Sequence, residues 1–303
     1  MNGKALWGII FGLVVINCLT IAYFTNSDKK EVFGSPIEQA TEETDEVVAQ
    51  IGDVGITRQE WLAELEKNYG KTTLENMINI KVVEELAKKN KIEVSEDVIN
   101  QELQMFKATY NAFGDHVIQD EETLKNQIKY SILLEELLTK DVVVPEEEMK
   151  QFYENNKHFY QISPAYHISQ IVVETEEEAK QIMEELKDGS SFQALAAERS
   201  IDQITASHGG NLGFIPEDSE FFPEEYIKQA SQLKENQFST PIKTDEGFVI
   251  IYLHEKLEGA QYSYDQVKNQ IRRQLALEQM KGNVSAKKLW EDIGVTWFYG
   301  ESE

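Results

Sequence analysis

The sequence predicts an α+β protein: an N-terminal membrane helix, a helical module, and a small antiparallel sheet with its own helices. Three observations carry this. Residues 5–24 contain no charged side chain, residues 57–140 repeat apolar residues at helical spacing, and Ala165–Val173 is a run rich in β-branched residues with further strands behind it.

The first element is the apolar run from Ala5 to Phe24. Twenty residues at the helical rise of about 1.5 Å span roughly 30 Å, the hydrocarbon thickness of a bilayer. Val15, Ile16 and Asn17 precede Cys18, so the small residues of a lipoprotein signal are missing, and no A-x-A-like exit follows. Residues 1–25 therefore read as a single-pass anchor. Lys4 on one side and Lys29 and Lys30 on the other leave its orientation undetermined by charge. Residues 26–46 are polar and acidic with almost nothing to bury, and read as a flexible tether.

From 47 to 160 the chain reads as helical after one short strand pair around Gly52. Thr57-x-x-Glu60 is a capping box, and Leu74, Ile78, Val82, Leu86 and Ala87 continue a helical period that closes in Lys88-Lys89. Ser95 opens a helix to about Phe113, Glu121–Lys140 forms another, and Pro145 stands at the start of the next. In 161–257 the period changes. The strand Ala165–Val173 precedes a helix capped by Thr175-x-x-Glu178, then a helix holding Phe192, Leu195 and Ala196, a tight turn at Gly209, Gly210 and Gly213, and strands near 238–242 and Gly247–His254. Residues 258–303 are expected to form one long amphipathic helix from Ser263 to about Asp292.

Composition excludes several functions. With 54 acidic against 29 basic residues and a formal charge of −25, the chain offers no phosphate-binding surface, so nucleic acid is not an expected partner. One cysteine permits neither an intrachain disulfide nor a thiolate zinc cage, and His116, His158, His167, His208 and His254 show no metal-ligand spacing. No metal or cofactor is expected. The three glycines at 209, 210 and 213 lack the Lys and Ser/Thr of a phosphate cradle.

One ordered set of residues is more specific. Tyr166-His167-Ile168, Phe192-x-x-Leu195-Ala196, Ser200-x-Asp202, Gly209-Gly210-Asn211-Leu212-Gly213, Pro241 and Thr244-x-x-Gly247-Phe248-Val249-Ile250-Ile251 follow one another with a spacing that resembles the parvulin family of peptidyl-prolyl isomerases. The flanks, from Val48-Ala49 through Tyr69-Gly70 and the C-terminal helix, are similar to the chaperone module of PrsA/SurA-type foldases. The resemblance covers about residues 47–296. It implies a parvulin-like domain at 161–257 inserted in a helical chaperone-like module built from 47–160 and 258–303. It further implies a bacterial, extracytoplasmic protein on the cell membrane that binds unfolded exported polypeptides and isomerises X-Pro bonds.

The resemblance also implies site residues. His167 falls at the first-strand histidine and Asp202 at the acidic or thiol position, giving both a catalytic expectation. Leu212, Phe222 and Tyr226 are implied as slot walls, with Thr244 beside them. The last-strand histidine is replaced by Val249, Asn211 stands where Asp is common, and His208 and His254 are expected at the surface. The chemistry itself asks for little. Prolyl rotation crosses a barrier of about 20 kcal/mol because it breaks amide resonance, so a slot for the ring and polar groups favouring the twisted amide suffice. The alternative expectation is a holdase in which this fold only binds peptide.

If residues 5–24 are an anchor, the mature chain keeps its N-terminus and stays with membranes through carbonate extraction. A shortened, soluble mature form would contradict that expectation.

Overall fold

The computed structural model describes residues 46–110, 121–280 and 284–300. The expected anchor at 1–25 and nearly all of the tether lie outside the described residues. Among those described, no helix is long and apolar enough to cross a membrane. In chain order the elements are β1 (Val47–Ile51), β2 (Val54–Thr57), α1 (Arg58–Leu65), a π-helical turn (Glu66–Gly70), α2 (Lys71–Asn90), α3 (Glu96–Tyr110), α4 (Glu121–Thr139) and α5 (Glu146–Asn155). There follow β3 (Gln161–Ile162), β4 (Ala165–Val173), α6 (Glu176–Lys187), α7 (Phe192–Arg199), β5 (Asn211–Pro216) and α8 (Glu224–Gln232). The chain continues with β6 (Gln237–Phe238), β7 (Ile242–Thr244), β8 (Gly247–Leu257), β9 (Ala260–Gln261), α9 (Tyr264–Met280) and α10 (Trp290–Ile293).

The described residues fall into two compact units, one holding those up to Glu93, Tyr130–Lys140 and those after 282, the other Val94–Lys129 and Asp141–Lys281. In the first, β1 and β2 form an antiparallel hairpin, and the expected capping box closes at Thr57 and Glu60. Val82, Val83, Leu86 and Ala87 are the buried stripe of α2, which ends on Lys91 in the left-handed conformation. Trp290 is buried and its indole N–H donates to Asn79 Oδ1 at 2.8 Å, while Lys287 pairs with Glu75 at 2.9 Å. The long C-terminal helix expected to reach Asp292 is interrupted: α9 ends at Met280, Val284 and Ser285 are not helical, and Ser285 Oγ caps a new 3-10 turn at Ala286–Leu289. A serine that bonds the backbone locally competes with helix continuation.

The second unit is built on an antiparallel sheet in the order β5-β4-β8-β6, with β7 also paired to β8. β5 was not expected from sequence: Asn211–Pro216 leaves the glycine turn as a strand because its backbone finds the edge of β4. Alternation along the central strands sorts the side chains between two faces. Tyr166, Ile168, Val172, Val249, Ile251 and Leu253 pack beneath α8, while Ile171, Val173 and Ile250 pack with α6 and α7. A further core joins Met105 of α3, Met149 and Tyr153 of α5, and Val267, Ile271 and Leu275 of α9 to Phe214 and Leu257 of the sheet. These helices thus share one core with the sheet, because Phe214 and the end of β8 offer apolar surface there. Lys107 of α3 is only 4% exposed and bonds Glu121 at 2.8 Å and Glu255 at 2.6 Å, so its buried ammonium is compensated twice.

One glycine is indispensable to this arrangement. Gly210 has φ +78° and its carbonyl accepts from Gln170 N–H at 2.7 Å; a Cβ there would lie 2.0 Å from Gln170 O. Gly210→Ala is expected to cost about 2–4 kcal/mol in urea unfolding, from the left-handed conformation plus the clash. Gly189→Ala, at φ +96° with no atom within 4 Å, should cost only about 1 kcal/mol. Equal losses at the two positions would contradict the clash argument.

Candidate functional site

The site starts from the way the loop after α7 lies on the sheet. Ser200 ends α7 and its hydroxyl accepts from Val172 N–H at 3.1 Å, while Ile201 N–H donates to Val172 O at 2.8 Å. The loop thereby extends the edge of β4 and delivers Asp202 beside Gln170. Asp202 Oδ2 accepts from Gln170 Nε2 at 2.8 Å and from the Thr205 hydroxyl, and Oδ1 accepts from Ile204 N–H at 3.1 Å. Burial pushes the carboxyl up, but the hydrogen bonds from Thr205, Gln170 and the backbone outweigh it, so its pKa lies below the usual value and it is ionised at neutral pH.

On the other side of Gln170, Tyr226 of α8 donates its hydroxyl to Oε1 at 3.0 Å. Burial, with the nearby charges of Glu246 and Asp202, pushes that phenol up to about 12, so it stays a donor. Asp202, Gln170 and Tyr226 therefore form one hydrogen-bonded row. Leu212 and Phe222 pack on the same core, and the Phe222 and Tyr226 rings lie 6.5 Å apart. Beside this row is a cleft of about 410 Å³ lined by Val172, Ile201, Asp202, Gln203, Ile204 and Glu246. Ile204, 85% exposed, gives it an apolar lip. Four of the expected residues, Asp202, Leu212, Phe222 and Tyr226, are thus gathered in one region.

The others are not. Thr244 closes the β7–β8 turn, donating to Gly247 O at 3.2 Å and accepting from Glu246 N–H at 3.3 Å. His167 lies on the opposite face of the sheet. Its Nε2 is 2.9 Å from Asn211 Oδ1, and its ring stacks on Phe214 at 4.9 Å and on His254 at 4.5 Å. The expectation that His254 is a surface residue is corrected: it is half-buried, with Nε2 2.7 Å from the hydroxyl of buried Ser169. The reason is that β8 runs on to Leu257, and an irregularity between His167 and Ile168 brings His254 over β4. His208 is exposed, as expected. Val249, expected at the position of the last-strand histidine, sits across from Val172 and is 1% exposed in the core beneath α8, on the face opposite His167.

Sequence reasoning missed Gln170, Ser169 and Thr205. Period-two counting along β4 was the available signal: His167, Ser169 and Ile171 share one face, and Tyr166, Ile168, Gln170 and Val172 the other. A glutamine within a strand otherwise buried on that face is the polar residue to ask about.

The imidazole pair has a measurable consequence. Burial, with the neighbouring His167, pushes His254 from its ordinary 6.5 down to about 4. Between those values the unfolded chain binds the proton and the folded one does not, so stability falls as pH drops through that window. The loss from pH 7 to pH 5 should be of order 1 kcal/mol for this partly exposed group, and His254→Phe should reduce that slope. Glu121, held at about 2 chiefly by its hydrogen bond from Lys107, gives up its contribution only below about pH 4.5, outside this range. A His254→Phe slope equal to that of the parent would contradict the burial argument.

The chain is similar to known proteins along most of its length. Residues 144–269 match the model of the PPIC-type peptidyl-prolyl isomerase domain. The chain is 44% identical over 302 residues, 99% of both chains, to a protein of Bacillus subtilis named as a putative peptidyl-prolyl cis-trans isomerase, YacD. It is 31% identical to the foldase protein PrsA of Geobacillus kaustophilus, over 82% of this chain and 85% of that one. Among solved structures, PrsA of Bacillus anthracis is 30% identical over 75% of this chain and 99% of its own, with a TM-score of 0.31. On these sequence identities, the chain belongs to the family of PrsA-type foldases that carry a PPIC-type peptidyl-prolyl isomerase domain.

Proposed function

We propose that this chain is an extracytoplasmic foldase, held at the cell membrane by residues 5–24, that binds unfolded exported polypeptides and isomerises X-Pro bonds within them. The observation that carries the reading is the grouping of Leu212, Phe222 and Tyr226 on one core with the ionised Asp202, which Gln170 joins to Tyr226 and which lines the adjoining cleft with Ile201 and Ile204. Such a slot offers the proline ring an apolar bed and the rotating amide a fixed polar neighbour, which is what differential binding of the twisted state requires. We assign the flanks 47–160 and 258–303 to chaperone binding. Val47, Ile51, Val54, Trp61, Leu62 and Met77 are exposed there and give an unfolded chain apolar area to bury.

A second reading has its own support. The face that carries the slot has Gln170 on β4 and Val249 on β8, and neither side chain is an imidazole that can trade protons. That favours a peptide-binding platform with little turnover.

The experiment is a protease-coupled proline-peptide assay on the whole chain, run beside suppression of client aggregation. The isomerase reading expects turnover above the uncatalysed rate and a loss of about tenfold in Asp202→Ala, the scale of one charge-assisted hydrogen bond. If the parent equals the uncatalysed rate while aggregation is still suppressed, the platform reading replaces it.

A further inference from the structure

We propose that Gln170 is the hydrogen-bond donor that this slot presents to a bound X-Pro unit, and that Tyr226 is the positioning residue that aims it. The inference rests on reading the slot as a prolyl-peptide site. A primary amide has two N–H groups and an oxygen, and a half-turn of the group exchanges them. Here the exchange is blocked at both ends. Asp202, ionised, can only accept, so Nε2 must face it at 2.8 Å; Tyr226, kept protonated, donates to Oε1 at 3.0 Å. Three features of the fold hold the row in place: Ser200 docks on Val172, α8 packs on the core, and Gly210 comes close enough to accept from Gln170 N–H.

With one Nε2–H given to Asp202, the second has no acceptor among the described residues. Gln170 as a whole is 9% exposed, so its side chain is largely shielded from water. A fixed, buried N–H without a partner is costly to keep, and it binds strongly when a ligand supplies the acceptor. The X-Pro amide supplies one as it rotates. Loss of resonance returns the lone pair to the prolyl nitrogen, which becomes pyramidal and basic, and a donor placed there stabilises the twisted state more than either planar isomer. The neutral amide does this without a proton transfer, so an imidazole is dispensable on this face.

The test uses the whole chain and an Ala-Ala-Pro-Phe peptide. In the ¹⁵N–¹H spectrum the Gln170 side-chain pair is assigned in the parent by triple-resonance connection to the Gln170 backbone, and its disappearance in Gln170→Met checks the assignment. At saturating peptide, one of its two N–H resonances should shift while the other, bound to Asp202, stays. Gln170→Met should lower kcat/KM about tenfold, and Tyr226→Phe should lower it about threefold while the two Gln170 resonances lose their separation. An unmoved pair at saturation overturns the proposal even if Gln170→Met does not fold. So does a folded Gln170→Met that keeps kcat/KM within twofold. If the parent binds no peptide at all, the slot reading itself fails, and this inference with it.

Discussion

The antiparallel ladder between β4 and β8 decides everything that follows, because its pleat assigns each side chain to one of two faces. Gln170 lies opposite Ile251 and Val172 opposite Val249, so these four look towards α8. Ser169 lies opposite Tyr252 and looks the other way, with His167 and His254. A shift of one residue in this register would exchange the two sets. The irregularity between His167 and Ile168 does this locally without disturbing the rest, and it brings two imidazoles together over Ser169.

The two faces are satisfied differently. Beneath α8 the polar atoms form a row in which Tyr226 donates to Gln170, Gln170 donates to Asp202, and Asp202 also accepts from Thr205 and Ile204. A carboxylate so provided with donors stays charged despite partial burial. On the opposite face, burial drives His254 towards its neutral form, and rings from Phe214 to Tyr252 surround the pair. The first face holds a fixed charge beside a cleft; the second holds packed rings around His254. Only the first has the combination of apolar wall and oriented polarity that a prolyl site asks for.

Much of this is legible in the amino-acid sequence. The capping boxes at Thr57 and Thr175 announce their helices because both partners lie within four residues. The long strand of β-branched residues and the ordered string around Gly209-Gly210 mark the sheet and the family. Position on a face was harder. His167 attracts attention as a histidine in a matched string, yet three residues along a pleated strand reverse the side chain's direction, and Gln170 takes the place beside Asp202. His254 could not be placed because the length of β8 and the irregularity opposite it depend on pairing far along the chain. The interruption between Met280 and Ser285 has a local cause instead: Met280 and Val284 keep an apolar spacing of four, while the serine cap at 285 competes with the helix.

The proposed peptide site lies on the face shared by Gln170, Asp202 and Tyr226. Backbone amide shifts of the ¹⁵N-labelled whole chain, followed as an Ala-Pro peptide is added, test it most directly. The largest changes should cluster at Gln170, Ile201–Thr205, Leu212, Phe222 and Tyr226. A cluster centred instead on His167, Ser169 and His254 would contradict it.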